Sequence, residues 1–205
     1  MMDNSRVVAY FVRHGETLLN AEGRFRGPMD VPLSDKGEND AEELANFFAK
    51  IKLGEAWTSA RQRATKTADT ILAPKGMAAN PTESLYAWDV GGLAGEKKSD
   101  HKDDIEYYQR NPSLPIPGGE SLDDFRARVN PTIKTSLMSG IKRGLPSIVV
   151  AHSSIIHQVN HLIHHDHSKN LVSPGGVLQV NYNGKQFSTQ VALKAEPKDE
   201  ANNAL

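Results

Sequence analysis

The hydrophobic pattern of the chain changes period several times. Residues 6–12 (RVVAYFV) are apolar on both alternating faces and rich in β-branched and aromatic side chains, which predicts a short central strand of a parallel sheet. The stretch SDKGENDAEELANFFAKI switches to helical spacing, with Leu44, Phe47, Phe48 and Ile51 on one face and Ser34 placed as an N-cap. EAWTS follows as a second short strand, and ARQRATKTADTIL reads as a helix that Pro74 stops. Residues 88–120 are rich in Gly and Pro with a polar middle, and read as an insertion over one edge of the domain with a short helix around 105–109.

Ser121 and the two aspartates after it suit a helix N-terminus, and Pro131 is expected to kink or split the helix that follows. PSIVVAHSS is a second buried strand, leading into a histidine-rich helix, IIHQVNHLIHH. Two alternating runs flank Asn183-Gly184, a strong hairpin signal. Strands alternating with helices predict an α/β fold: a single three-layer domain with a mostly parallel central sheet flanked by helices, plus the insertion and a C-terminal β-hairpin. The domain is expected to span residues 1–193, with the polar stretch 194–205 a disordered tail.

Composition removes several classes of function. The 205 residues are 38% hydrophobic and 24% charged, with a net charge of -1 and no cysteine. That balance fits a soluble globular protein, gives no electrostatic reason for a nucleic-acid partner, and leaves out disulfides and thiol chemistry. No apolar run suggests a membrane span and the N-terminus has no secretory pattern, so a cytoplasmic location is the default. Nothing in the pattern specifies an oligomeric state.

The chemistry gathers at strand ends. Arg13 and His14 stand just past the first strand, His152 just past SIVVA, and Arg63 opens the helix after EAWTS. In a mostly parallel sheet the carboxyl ends of the strands face the ligand crevice. If these strands are neighbours, two imidazoles and two guanidinium groups meet in one volume, and an anion must offset their repulsion. A phosphate dianion matches the guanidinium forks best.

These segments resemble the histidine phosphatase (phosphoglycerate mutase-like) superfamily over roughly residues 7–182. The resemblance is carried by "RHGETLLN", by "GRFRG" with "DVPLSDKG", by "SARQRATKTA", by "PGGES" with Phe125 and Arg128, and by "VVAHSS". It implies a metal-independent phosphomonoester hydrolase in which His14 attacks phosphorus and forms a phosphohistidine that water then hydrolyses. Arg13, Arg63 and His152 would hold the phosphoryl oxygens, and no cofactor is required. Asn20 would be a neutral donor to the same group, or a cap of the helix after the first loop. The substrate implied is a small phosphate ester. The alternatives are a phosphoglycerate mutase-type phosphotransferase, or a catalytically impaired phosphate-ligand binder with a regulatory role.

One position departs from the family. Its usual proton donor is a glutamate whose place is held here by Ala87, in "LYAWDVGGLAG". Asp89 is the nearest carboxylate and the expected general acid, with Glu83 and Glu120 as fallbacks. Otherwise the site has no acid and needs a good leaving group. Glu16 reads as structural, and the roles of Arg24 and Arg26 stay open. Lys97 or Lys98 could reach a second anionic group from the insertion. His157, His161 and His165 stand four apart, but the run HQVNHLIHHDH reads as scaffold, and no metal site is expected.

Overall fold

The computed structural model describes residues 5–166 and 168–194. Six strands form one sheet: β1 (Arg6–Arg13), β2 (Ala56–Ser59), β3 (Asn80–Thr82), β4 (Ser147–Ala151), β5 (Val177–Tyr182) and β6 (Phe187–Leu193). They lie in the order β3-β2-β4-β1-β5-β6. The β1–β4, β4–β2 and β2–β3 pairs are parallel, while β5 runs antiparallel to β1 and turns back into β6. The sheet is therefore mostly parallel, as expected, although β1 itself has one antiparallel neighbour. The hairpin turns at Asn183-Gly184, where Gly184 takes a φ of 93° that glycine adopts without strain.

Both faces of the sheet are covered, which explains the unbroken apolar runs. On one face Ala9 and Phe11 of β1 and Val149 and Ala151 of β4 join a core with α5 (Leu122–Arg143) and α6 (Ser153–His164). On the other, Tyr10, Val12, Ile148 and Val150 pack with α2 (Asp35–Phe48) and α3 (Gln62–Leu72). Alternate residues of one strand serve opposite cores, so both faces of β1 and β4 are mainly apolar. No helix among the described residues is long and apolar enough to cross a membrane.

Three features differ from the pattern. Ser34 caps α2, accepting from the Gly37 amide, but the helix ends at Phe48, so Ile51 packs from the loop beyond it. The insertion, expected over one edge of the domain, contributes Trp88, Val90, Ile105 and Ile116 to the same core as α5 and α6, and holds α4 (Lys102–Arg110). Finally, α5 is one continuous helix through Pro131 and is not split. Phe125, Val129, Ile133 and Leu137 bury one face on both sides of the proline. At about 1.5–3 kcal/mol per buried side chain they outweigh the ~3 kcal/mol cost of an interior proline. The tail from residue 195 onward lies outside the described residues.

Candidate active site

The strand order gathers the chemistry. β4 sits between β1 and β2, so three parallel strands end side by side. Arg13 pairs with Ala151 in register, and the His14 amide donates to the Ala151 carbonyl at 3.0 Å. His14 and His152 therefore leave adjacent strand tips, and their ring centroids lie 5.2 Å apart. From β2 come Ser59, whose hydroxyl lies 2.8 Å from His152 Nε2, and Arg63 in the first turn of α3. The N-termini of α3 and α6 add the positive ends of two helix dipoles.

Backbone contact sets the loop after β1. A Cβ on Gly15 would come within 2.2 Å of the Gly37 carbonyl oxygen, and one on Gly37 within 2.0 Å of that of Glu16. Glycine at both positions lets the loop lie directly on the first turn of α2. Glu16 secures the contact, since its carbonyl accepts from the Ser34 amide at 2.9 Å and its carboxylate accepts from the Ser34 hydroxyl at 3.1 Å. The Gly15 amide donates to the hydroxyl of Thr67 on α3 at 3.2 Å.

The site is buried and only half satisfied. His14 and His152 have no exposed surface, Arg63 none, and Arg13 1%. His14 Nδ1 lies 2.6 Å from the Gly15 carbonyl oxygen, an acceptor only, so the proton belongs on Nδ1 and the lone pair on Nε2. Arg13 Nη1 donates to the Val172 carbonyl at 3.0 Å and Arg63 Nη1 to the Met29 carbonyl at 2.9 Å. Among the described residues nothing meets the remaining Nε and Nη2 of either arginine, His14 Nε2 or His152 Nδ1. On each arginine the open pair is the edge whose two N–H bonds run parallel, the one that grips two oxygens at once. A buried polar group left unpaired costs about 1–3 kcal/mol, so several on side chains gathered at these strand tips mark a ligand site.

Electrostatics agrees. Burial, then Arg63, Arg26 and His152, push the His14 pKa well below 6.5, and burial with the surrounding arginines does the same to His152. Arg63 and Arg26 act on both rings, and both lower the pKa. Burial is also the leading cause that lowers Arg13 to about 10 and Arg63 to about 9.

Sequence reasoning left Arg26 open, and it belongs here. It is 7% exposed, its Nε and Nη1 are unpartnered among the described residues, and burial with Arg13 lowers its pKa to about 9. Lys98 joins it: buried, and lowered to about 7 by burial, Arg13 and Arg26. Residues 23–26 lie along 95–98, with the Phe25 amide bonded to the Glu96 carbonyl and the Lys98 amide to the Gly23 carbonyl. Arg26 and Lys98 line one pocket with Ala87 and Ser153. Nothing in periodicity separates these two cations from solvated ones. Ser59 was missed for the same reason: a serine ending a strand has no distinguishing pattern.

The remaining candidates sit differently. Asn20 is 2% exposed, and its amide oxygen accepts from the Thr17 amide and hydroxyl in a capping box on α1 (Leu18–Ala21). Asp89 turns into its own loop: Oδ1 accepts from the Gly91 amide at 2.9 Å, and its amide donates to Glu120 at 3.0 Å. Glu120 is held by Arg128, and Glu83 accepts from the Tyr86 hydroxyl on the surface. Arg24 pairs with Glu22. Among the described residues no group of His, Cys, Asp and Glu is arranged to hold a metal ion. His164 reaches the Thr189 hydroxyl at 2.8 Å, and His167 lies outside the described residues.

An α/β domain presenting two imidazoles and clustered guanidinium groups at adjacent strand tips is the arrangement that the sequence motifs imply for a histidine phosphatase. A family model described as the histidine phosphatase superfamily (branch 1) matches residues 9–192, and the chain belongs to that superfamily. A 2,3-bisphosphoglycerate-dependent phosphoglycerate mutase of Rhizobium etli is 34% identical over 155 residues, covering 71% of this chain and 74% of its own. A mutase of the same name from Methylobacterium is 35% identical over 152 residues, 69% of this chain and 73% of its own. Among solved structures, TTHB049 of Thermus thermophilus covers 90% of this chain and 99% of its own, with a TM-score of 0.70 at 28% identity. A mycobacterial glucosyl-3-phosphoglycerate phosphatase covers 93% of this chain and 100% of its own, with a TM-score of 0.79 at 20% identity, a likeness of fold.

Proposed function

We propose that this protein is a metal-independent phosphomonoester hydrolase working through phospho-His14. The observation that carries the reading is the neutral, unpartnered His14 Nε2, held in place through Nδ1, in a buried site where Arg13 and Arg63 also keep unpartnered edges among the described residues. The roles follow from position. His14 Nε2 attacks phosphorus and the leaving oxygen departs opposite it. Arg13, Arg63 and His152 grip the phosphoryl oxygens whose charge shifts in the transition state. If Ser59 donates its hydroxyl proton to His152 Nε2, Nδ1 carries the hydrogen that points at the phosphoryl group. Asn20, its amide oxygen held by Thr17, offers its amide nitrogen as a neutral donor. Water then attacks the phosphohistidine and restores the free imidazole.

The names of the relatives favour a second reading, a phosphoglycerate mutase-type transferase. Ala87 weighs against it, because returning phosphate to a second hydroxyl requires a proton shuttle that alanine cannot supply. Phosphate release from 4-nitrophenyl phosphate in excess chelator tests the hydrolase, and positional exchange on monophosphoglycerate tests the mutase. Release without exchange is the expected result. Exchange without net release would replace the first reading by the second. Tight phosphate binding with neither activity would leave only a binding protein.

A further inference from the structure

Next to the site formed by His14, His152, Arg13 and Arg63, a second pair of cations, Arg26 and Lys98, lines a pocket. Ala87 contributes a methyl group to that pocket, beside Arg26 and Lys98. The carboxylates considered as proton donors are held by other partners: Asp89 accepts from the Gly91 amide, Glu120 from Arg128 and Glu83 from the Tyr86 hydroxyl. A departing alkoxide is a far stronger base than a departing phosphate, whose conjugate acid has a pKa of about 6. The first must be protonated as the bond breaks, and the second leaves as an anion that cations stabilise directly.

From this juxtaposition the geometry points to a phosphoric anhydride as the substrate class, with His14 taking the terminal phosphoryl group and Arg26 and Lys98 receiving the departing phosphate. The inference rests on the phospho-His14 reading, keeps its nucleophile, and replaces the ester leaving group by a phosphate. In the first step the Nε2–P bond forms, the P–O bond to the bridging oxygen breaks, and the leaving phosphate keeps the electron pair with no proton drawn from the protein. In the second, water adds to phosphorus, the N–P bond breaks, and the water proton stays with the inorganic phosphate or passes to solvent. Arg26 suits this task, since two of its buried nitrogens are unpartnered among the described residues and it lies close enough to depress both imidazoles. The lowered pKa of Lys98, about 7, is the sign of an ammonium that gains from an arriving anion.

The test compares inorganic pyrophosphate and ADP with glycerol phosphate, using 4-nitrophenyl phosphate as the aryl reference. The anhydrides should exceed glycerol phosphate by at least about 100-fold in kcat/KM, the scale of a missing general acid. Arg26→Gln should lower the ratio of anhydride to aryl turnover by about 10-fold or more, because the aryl leaving group carries less charge. Ala87→Glu supplies an acid and should raise glycerol phosphate turnover by about 10-fold; Lys98→Met is the second variant if either fails to fold, and should lower the anhydride-to-aryl ratio. Glycerol phosphate turned over as well as the anhydrides, or an anhydride-to-aryl ratio unmoved by both cation variants, would overturn the substrate class. Alkaline quenching with 4-nitrophenyl phosphate runs in parallel. Phospho-His14 without an anhydride preference refutes this inference alone, whereas no phosphohistidine from any donor refutes the reading beneath it as well.

Discussion

Two arginine environments in this molecule look alike in sequence and opposite in structure. Arg128, on α5, is saturated. It donates to both oxygens of Glu120 and to the carbonyls of Glu83, Ser84, Tyr86 and Ala87, drawing the loop after β3 and the end of the insertion onto one helix. Arg63 is tied by one nitrogen to the Met29 carbonyl and keeps its parallel edge open, with Arg26 and Arg61 near it and Asp30 offsetting part of their charge. Both arginines lie in segments that resemble the family, so motif membership does not separate a clamp from a ligand group. Unmet hydrogen-bonding capacity does. A guanidinium whose donors are all taken stabilises the fold, and one left open beneath the surface is built for something that arrives later.

The sharpest break falls on His14. His14→Ala should lower turnover of 4-nitrophenyl phosphate by at least about 10,000-fold, since it removes the nitrogen that attacks phosphorus in this reading. Activity within about tenfold of the unmodified protein would end the covalent account. The arginine pair comes next, as a crossed comparison. Arg63→Ala should cost about 100- to 1,000-fold in kcat with little loss of stability, the scale of one preorganised donor. Arg128→Ala should cost about 2–4 kcal/mol in chemical denaturation, leaving Glu120 and four carbonyls without their partner, with a smaller change in kcat. The reverse pattern would mean that open and saturated arginines were misjudged.

The pH dependence separates the regions more gently. The native pKa values of His14 and His152 lie well below 6.5, and that of Lys98 is lowered from 10.5 to about 7. Between each native value and the unfolded one, the unfolded chain binds more protons, so stability of the ligand-free protein falls as pH drops from 8 toward 6. Vanadate or phosphate favours the charged forms and should raise the melting temperature most at the lower pH, which a thermal titration in both conditions would show. A ligand-free melting temperature that rises from pH 8 to pH 6 would contradict the buried-cation picture. The smallest effect concerns Arg26. Arg26→Gln removes one member of a self-repelling cluster and should stabilise the ligand-free protein by about 0.5–2 kcal/mol while weakening its gain from vanadate. A loss of stability instead would make Arg26 a structural residue like Arg128.

Much of this site could be read before any coordinates, for a local reason. Arg13 ends an apolar strand, His14 and His152 follow such strands directly, Arg63 opens the helix after another, and in a parallel sheet strand ends share one side. The same logic placed the hairpin at Asn183-Gly184. It reached less far where contacts are distant in sequence. Arg26 is set by a loop running beside residues 95–98, Ser59 by its approach to His152, and the unbroken helix through Pro131 by burial on both its flanks. The Asp89 carboxylate caps a turn that opens at its own residue, an arrangement that spacing from Ala87 could not disclose.

The central claim is that His14 Nε2 becomes covalently bonded to phosphorus during turnover. Alkaline quenching during steady-state turnover of 4-nitrophenyl phosphate, followed by peptide mass spectrometry, measures it directly. The account predicts an acid-labile, base-stable phosphoryl group on His14 that disappears when substrate is exhausted. Product formation with His14 unmodified at every quench time, or with the phosphoryl group on another residue, would contradict it.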